Sequence, residues 1–131
     1  MKVVLDTNVI VSAILSPAGI PAQILSNILS EKLIIVYNNG ILAEYIDVLG
    51  REKFNLNKSL RDLILEYIAK EGEFRIAGQV NQKFLHEDDR KFYELFKSGG
   101  IDYLVTGNTK HFPKEKRIVT PRSFVEKELA G

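Results

Sequence analysis

The sequence predicts an α/β fold in which a largely parallel sheet is covered by helices on both faces. Two observations carry this. Short runs rich in β-branched residues alternate with longer stretches whose apolar residues recur at helical spacing. The strand runs are also continuously apolar instead of alternating, the mark of strands buried on both faces.

The elements read in order as follows. Lys2-Val3-Val4-Leu5 is a buried strand, and Val9 to Leu15 is helix-forming. Pro17-Ala18-Gly19 breaks that helix, and Pro21 suits the first turn of the next, in which Ile24, Leu25, Ile28 and Leu29 share one face. Leu33 to Tyr37 is the second strand, closed by Asn38-Asn39-Gly40. A helix then carries Ile41, Leu42, Tyr45, Ile46 and Leu49 on one stripe. Asn57 opens another, which is expected to bury Leu60, Leu63, Ile64, Tyr67 and Ile68.

Phe74-Arg75-Ile76-Ala77 is a weaker strand. A helix from about Glu87 to Ser98 buries Phe92, Leu95 and Phe96, and Gly99-Gly100 ends it. Ile101 to Thr106 and Arg117-Ile118-Val119 are strands, and Pro121 starts a last helix to about Leu129. The succession is β-α-α-β-α-α-β-α-β-β-α. The 131 residues, without repeat or linker, are expected to form one domain, 1–131.

Composition narrows the chemistry. There are no cysteines, so disulfides, thiolate metal sites and cysteine nucleophiles are excluded. With only two histidines, metal chemistry must use oxygen ligands, which favour magnesium, calcium or manganese over zinc. A net charge of +1 gives no global basic field, although a local patch can still serve nucleic acid. The chain enters its first strand without a charged leader, and no apolar run is long enough to cross a bilayer. A cytoplasmic protein is therefore expected.

Ligands of such sheets bind at the carboxyl ends of the strands. Asp6 ends the first strand and is followed by Thr7 and Asn8; alone, it also reads as a helix N-cap. Glu44 lies in the helix leaving strand two, and Asp88 and Asp89 open the helix before strand four. Thr106-Gly107-Asn108 leaves strand four itself. Acids converging on one edge repel unless a cation neutralises them, so the pattern predicts one or two divalent ions suited to phosphodiester hydrolysis.

Asp102 begins strand four and lies about 13 Å from Thr106, at the opposite edge. It is expected to be structural. His86 and His111 have no orienting partner visible in the sequence and are assigned to surface loops. Arg90, Lys91 and Lys110 lie near the presumed mouth and are candidates for steering an RNA backbone. A phosphatase using two acids two residues apart is excluded by Asn8, and no Gly-x-Gly-x-x-Gly supports dinucleotide binding.

Four blocks, Val3-Val4-Leu5-Asp6-Thr7-Asn8-Val9, Leu42-Ala43-Glu44-Tyr45, His86 to Phe92 and Asp102 to Asn108, together resemble the PIN-domain family. The likeness is to its VapC-like branch, the toxin components of toxin–antitoxin systems. It implies a three-layer α/β/α sandwich with a mostly parallel five-stranded sheet, and magnesium- or manganese-dependent cleavage of single-stranded RNA. It further implies that Asp6, Glu44 and Asp89 bind metal, with Asp88 as a substitute and Asn8, Thr106 and Asn108 in support. Relatives often have an acid where this chain has Asn108; an amide brings no charge and implies weaker metal binding. An antitoxin partner and a homodimer are also implied. The rival reading is a catalytically weak or inactive module of the same fold that binds RNA or a protein.

Overall fold

Five strands, Lys2–Leu5 (β1), Ile34–Tyr37 (β2), Glu73–Phe74 (β3), Tyr103–Val105 (β4) and Ile118–Val119 (β5), form one sheet in the order β3-β2-β1-β4-β5. The coordinates are a computed structural model that describes residues 1–129, so the last two residues of the 1–131 span lie outside the described residues. Every strand pair is parallel, so the mostly parallel sheet expected from the sequence is wholly parallel. Val3, Val4 and Leu5 are all buried although successive side chains point to opposite faces, so helices cover β1 on both sides.

The order has a consequence for the site. The chain begins in the middle of the sheet, winds outward through β2 and β3, and then returns to place β4 and β5 on the other side of β1. The switch point therefore falls between β1 and β4, where α/β sheets bind ligands. Leu5 registers with Val105, which brings the next residues, Asp6 and Thr106, side by side. The Asp6 N–H donates to the Val105 carbonyl at 2.9 Å, and the Thr106 N–H to that of Val119 at 2.9 Å.

The helices are Thr7–Leu15 (α1), Ile20–Leu29 (α2), Asn39–Leu49 (α3), Lys58–Glu71 (α4), Arg90–Phe96 (α5) and Pro121–Phe124 (α6), the last continuing as a π-helical turn over Val125–Leu129. Side-chain caps set three starts. Asn38 Oδ1 accepts from the Ile41 N–H at 2.8 Å, Asn57 Oδ1 from Leu60 at 2.9 Å, and Thr120 Oγ1 from Ser123 at 3.1 Å. Asn38 starts α3 at Asn39, two residues before the apolar stripe begins. Among the described residues no single helix is long and apolar enough to cross a membrane; α1 and α2 pass together but bend by 100°.

Several expectations are corrected. β3 covers Glu73–Phe74 instead of Phe74–Ala77, because β2, its sole neighbour, ends at Tyr37, whose carbonyl accepts the Arg75 N–H at 3.0 Å as the last link; Ile76 is 84% exposed. Glu87–Asp89 form a 3-10 turn ahead of α5, so the two aspartates precede that helix. Ile46, Leu60 and Leu63 are exposed, since each helix buries a narrower line of its stripe, Ile41, Tyr45 and Leu49 in α3 and Ile64 and Ile68 in α4. Asp102 sits at the far edge as expected. Its carboxylate accepts the Lys2 N–H at 2.8 Å and ties β1 to β4.

Candidate active site

Asp6, Thr7 and Thr106 are the buried polar residues, and all three lie at the carboxyl edge of β1 and β4. Asp6 occupies the N-cap position of α1, yet its side chain makes no cap hydrogen bond. Instead Oδ2 accepts from Thr106 Oγ1 at 2.7 Å. That hydroxyl in turn accepts the Asn108 N–H at 3.0 Å, so the turn after β4 is built around Asp6. Burial pushes the Asp6 carboxyl above its ordinary range. The Thr106 hydrogen bond opposes this, and the charges of Asp89 and Glu44 add to it.

Glu44 projects from α3 and is held from two sides. The Thr7 hydroxyl donates to its carboxylate, and Lys91 Nζ lies 2.7 Å from Oε1. Lys91 also donates to the Asp88 carbonyl at 2.6 Å, so two acceptors hold its ammonium at this edge. Glu44 separates two clefts. One, of about 610 Å³, is lined by Asp88, Asp89, Asp47 and Lys91; the other, of about 450 Å³, by Asp6, Asn8, Leu15 and Phe54.

Asp89 ends the 3-10 turn with its side chain 14% exposed. Its Oδ2 is buried and has no hydrogen-bond partner. His111 Nδ1 lies 3.3 Å from that oxygen without the geometry of a hydrogen bond. Burial is again the main cause that raises this carboxyl. His111, His86 and Lys91 draw it down, and Glu44 pushes it up.

Asp6, Glu44 and Asp89 are thus brought together electrostatically: the charges of Asp89 and Glu44 act on Asp6, and that of Glu44 acts on Asp89. Asp88 is exposed beside them, and Asn8 lies against Gly107, where an added Cβ would meet its Nδ2 at 3.4 Å. Asn108 and Lys110 are exposed. Arg90 pairs with Glu87 at 2.7 Å, donates to the Val80 carbonyl at 2.9 Å and covers the Phe84 ring. His86 is exposed in a loop as expected, while His111 lies in a 3-10 turn with Nδ1 3.3 Å from Asp89 Oδ2 and its ring 4.7 Å from that of His86. One signal was available: His111 follows Thr106 by five residues, in the connection that leaves the same sheet edge.

Among the described residues no three carboxylate or histidine side chains converge closely enough to hold an ion as they stand. Like charges keep apart until a cation arrives, and here Lys91 and Thr106 occupy Glu44 and Asp6. The donor set nevertheless fits a hard divalent ion. It consists of carboxylate oxygens, and one of them, Asp89 Oδ2, is buried with no other partner.

A protein of Methanocaldococcus jannaschii, itself named only as uncharacterized, is 29% identical over 140 aligned positions covering 96% of this chain and 90% of its own. No solved structure matches the chain. A family model, the PIN domain, matches residues 2–110, a span that contains Asp6, Glu44, Asp89 and Asn108. The chain belongs to the PIN-domain family.

Proposed function

We propose that this chain is a magnesium- or manganese-dependent ribonuclease of single-stranded RNA, with Asp6, Glu44 and Asp89 as its metal ligands. PIN domains are commonly nucleases that use divalent ions and act on RNA, which supports the reaction class. The observation that supports the assignment to this edge is the buried Oδ2 of Asp89, which makes no hydrogen bond and feels the like charge of Glu44 as well as the opposing charges of His111, His86 and Lys91. A buried polar atom left without a hydrogen bond costs on the order of 1–3 kcal/mol unless something pairs with it. All-oxygen donors favour magnesium or manganese. When bound, such an ion supplies the charge neutralisation that phosphodiester hydrolysis requires.

The protein's own groups have distinct tasks in this reading. Thr106 orients Asp6, and its link to Asn108 ties the turn after β4 to the same carboxylate. Thr7 and Lys91 hold Glu44 between the two clefts, where it can orient a water against a bound phosphate. Asp88, exposed at the rim, is the substitute ligand, and Asn8 lines the second cleft. The test is Asp6→Asn with the fold verified by circular dichroism. Cleavage of single-stranded RNA should be lost, and undiminished magnesium-dependent cleavage would overturn the assignment.

One observation favours the non-catalytic alternative. Asn108 is exposed and uncharged, and Glu44 already has a cation in Lys91, so the site carries less net negative charge than its acids suggest. RNA binding with no heat of manganese binding would select that reading. The toxin role, with an antitoxin and a homodimer, is part of the same proposal. Leu60 and Leu63, exposed on α4, supply an apolar surface for self-association. Sedimentation showing a monomer at high concentration would refute the dimer.

A further inference from the structure

A cavity of about 730 Å³, larger than either cleft at the carboxylates, shares no lining residue with them. Its apolar floor includes Phe112 and Ile118, and its walls carry Lys110, Lys114, Lys116 and Lys127. All four lysines are exposed. Among the described residues none of them forms an ion pair, in contrast to Lys91 and Arg90. Glu115 is the one acid in the lining, and its carboxylate is taken by the Tyr93 hydroxyl and by Lys97 at 3.1 Å. Residues 109–127 hold six lysines and arginines against two glutamates, a net +4 in a chain whose total is +1. The near-neutral chain therefore concentrates positive charge in one place.

The groove adjoins the candidate site through one turn. Thr109 and Lys110 line it, while His111 of the same 3-10 turn lies 3.3 Å from Asp89 Oδ2. We infer that this groove is an RNA subsite, in which the four lysines hold the phosphate backbone of a single strand on its way to or from the carboxylates. The inference rests on the nuclease reading for its substrate. Lysines on flexible stems are point charges that track a phosphate backbone without regard to sequence. An acidic peptide would be better gripped by the planar fork of arginine, and no arginine lines the groove.

The experiment is fluorescence anisotropy of labelled oligouridine in EDTA, so that binding is read without turnover. Wild type, Asp6→Asn and the variant K110Q/K114Q/K116Q/K127Q are titrated between about 50 and 200 mM salt. Asp6→Asn, which removes a carboxylate charge from the adjoining clefts, should bind no more weakly than wild type. The fourfold variant should lose more than about tenfold in affinity, and its log K against log salt slope should fall by roughly 0.7 per lysine that meets a phosphate. The pairs K110Q/K114Q and K116Q/K127Q, each expected to lower the slope by about 1.4, keep the test open if the fourfold variant misfolds. Unchanged affinity and slope in folded variants would overturn the subsite. So would displacement of the RNA by an oligoglutamate of equal charge at equal or lower concentration. Groove binding by a protein that never cleaves RNA would refute the nuclease and leave the subsite standing.

Discussion

Replacing Asp89 with Asn should stabilise the metal-free protein and abolish its stabilisation by metal. Asp89 Oδ2 is buried with no hydrogen-bond partner, and an unsatisfied buried group costs about 1–3 kcal/mol, more when charged. The charge of Glu44 adds to that cost, while Lys91, His111 and His86 offset part of it. Taking the low end, the neutral amide should gain about 1 kcal/mol, or roughly 3–5 °C in Tm for a chain of this size. Manganese acts in the opposite sense. At about one hundred times its Kd an ion stabilises the folded state by about 2.7 kcal/mol, and the variant forgoes this because one of three ligands is gone. Calorimetric melts at pH 8, in EDTA and with manganese, should therefore cross: the variant melts higher without metal and lower with it. A purely structural aspartate would shift both melts in one direction. A variant less stable in EDTA, or one that keeps the full manganese increment, refutes the reasoning.

Other perturbations probe the site and its frame. Thr106→Val removes the donor to Asp6 and should lower manganese affinity about 10- to 100-fold by calorimetry; an unchanged affinity would show that Thr106 does not orient a ligand. Lys91→Gln removes the cation that competes for Glu44. Its partly exposed ion pair contributes up to about 1 kcal/mol, so manganese should bind up to about fivefold more tightly, and weaker binding would contradict the competition. At Gly72 an added Cβ would stand 2.5 Å from the Ile68 carbonyl oxygen and 3.1 Å from that of Ile35. Gly72→Ala should thus cost about 1–3 kcal/mol in urea unfolding, and a neutral result would mean that α4 and β2 can part cheaply. The hydrogen bond from Lys2, followed by Arg75, holds the Glu73 carboxyl below its ordinary range. Because the folded value is depressed, this pairing stabilises above the ordinary carboxylate range and is lost as pH falls through the lowered value. The stability gap between wild type and Glu73→Gln should close in strong acid, and a gap unchanged there would place its origin elsewhere.

What the sequence made legible follows from what its local patterns measure. Hydrophobic periodicity reports a neighbour's presence, so it located every helix and the buried strands β1, β2 and β4. It overreached at Leu60, Leu63 and Ile46, since a helical stripe is wider than the face its neighbours cover. It also overextended β3, because strand length depends on a partner that ends elsewhere in the chain. Parallel-sheet logic brought Asp6, Glu44 and Asp89 to one edge without any distance being known. Their actual partners were not readable: Thr106, Thr7 and Lys91 lie 100, 37 and 47 residues from the acids they hold, and only packing joins them. The basic groove was invisible for the same reason, its lysines being spread over a turn, a loop and the helical segment after β5 without a period.

These long-range pairings bear on how the site would accept an ion. Glu44 has a cation in Lys91, and Asp6 has a hydroxyl donor in Thr106, so both carboxylates are partly compensated in the metal-free fold. Asp89 has only the charges of His111, His86 and Lys91 around it, and its buried Oδ2 makes no hydrogen bond. The differential affinity of an ion for the folded protein is therefore greatest at Asp89, where binding displaces no existing partner. Capture at Glu44 must compete with Lys91 and is correspondingly weaker. Lys91 gives the edge a second property. While it holds Glu44 the net charge at the clefts is reduced, which lessens the repulsion an RNA phosphate would meet before the ion is in place. In the proposed nuclease the same lysine would lower metal affinity and ease approach of the substrate. Lys91→Gln should accordingly tighten manganese binding and, in EDTA, weaken RNA binding.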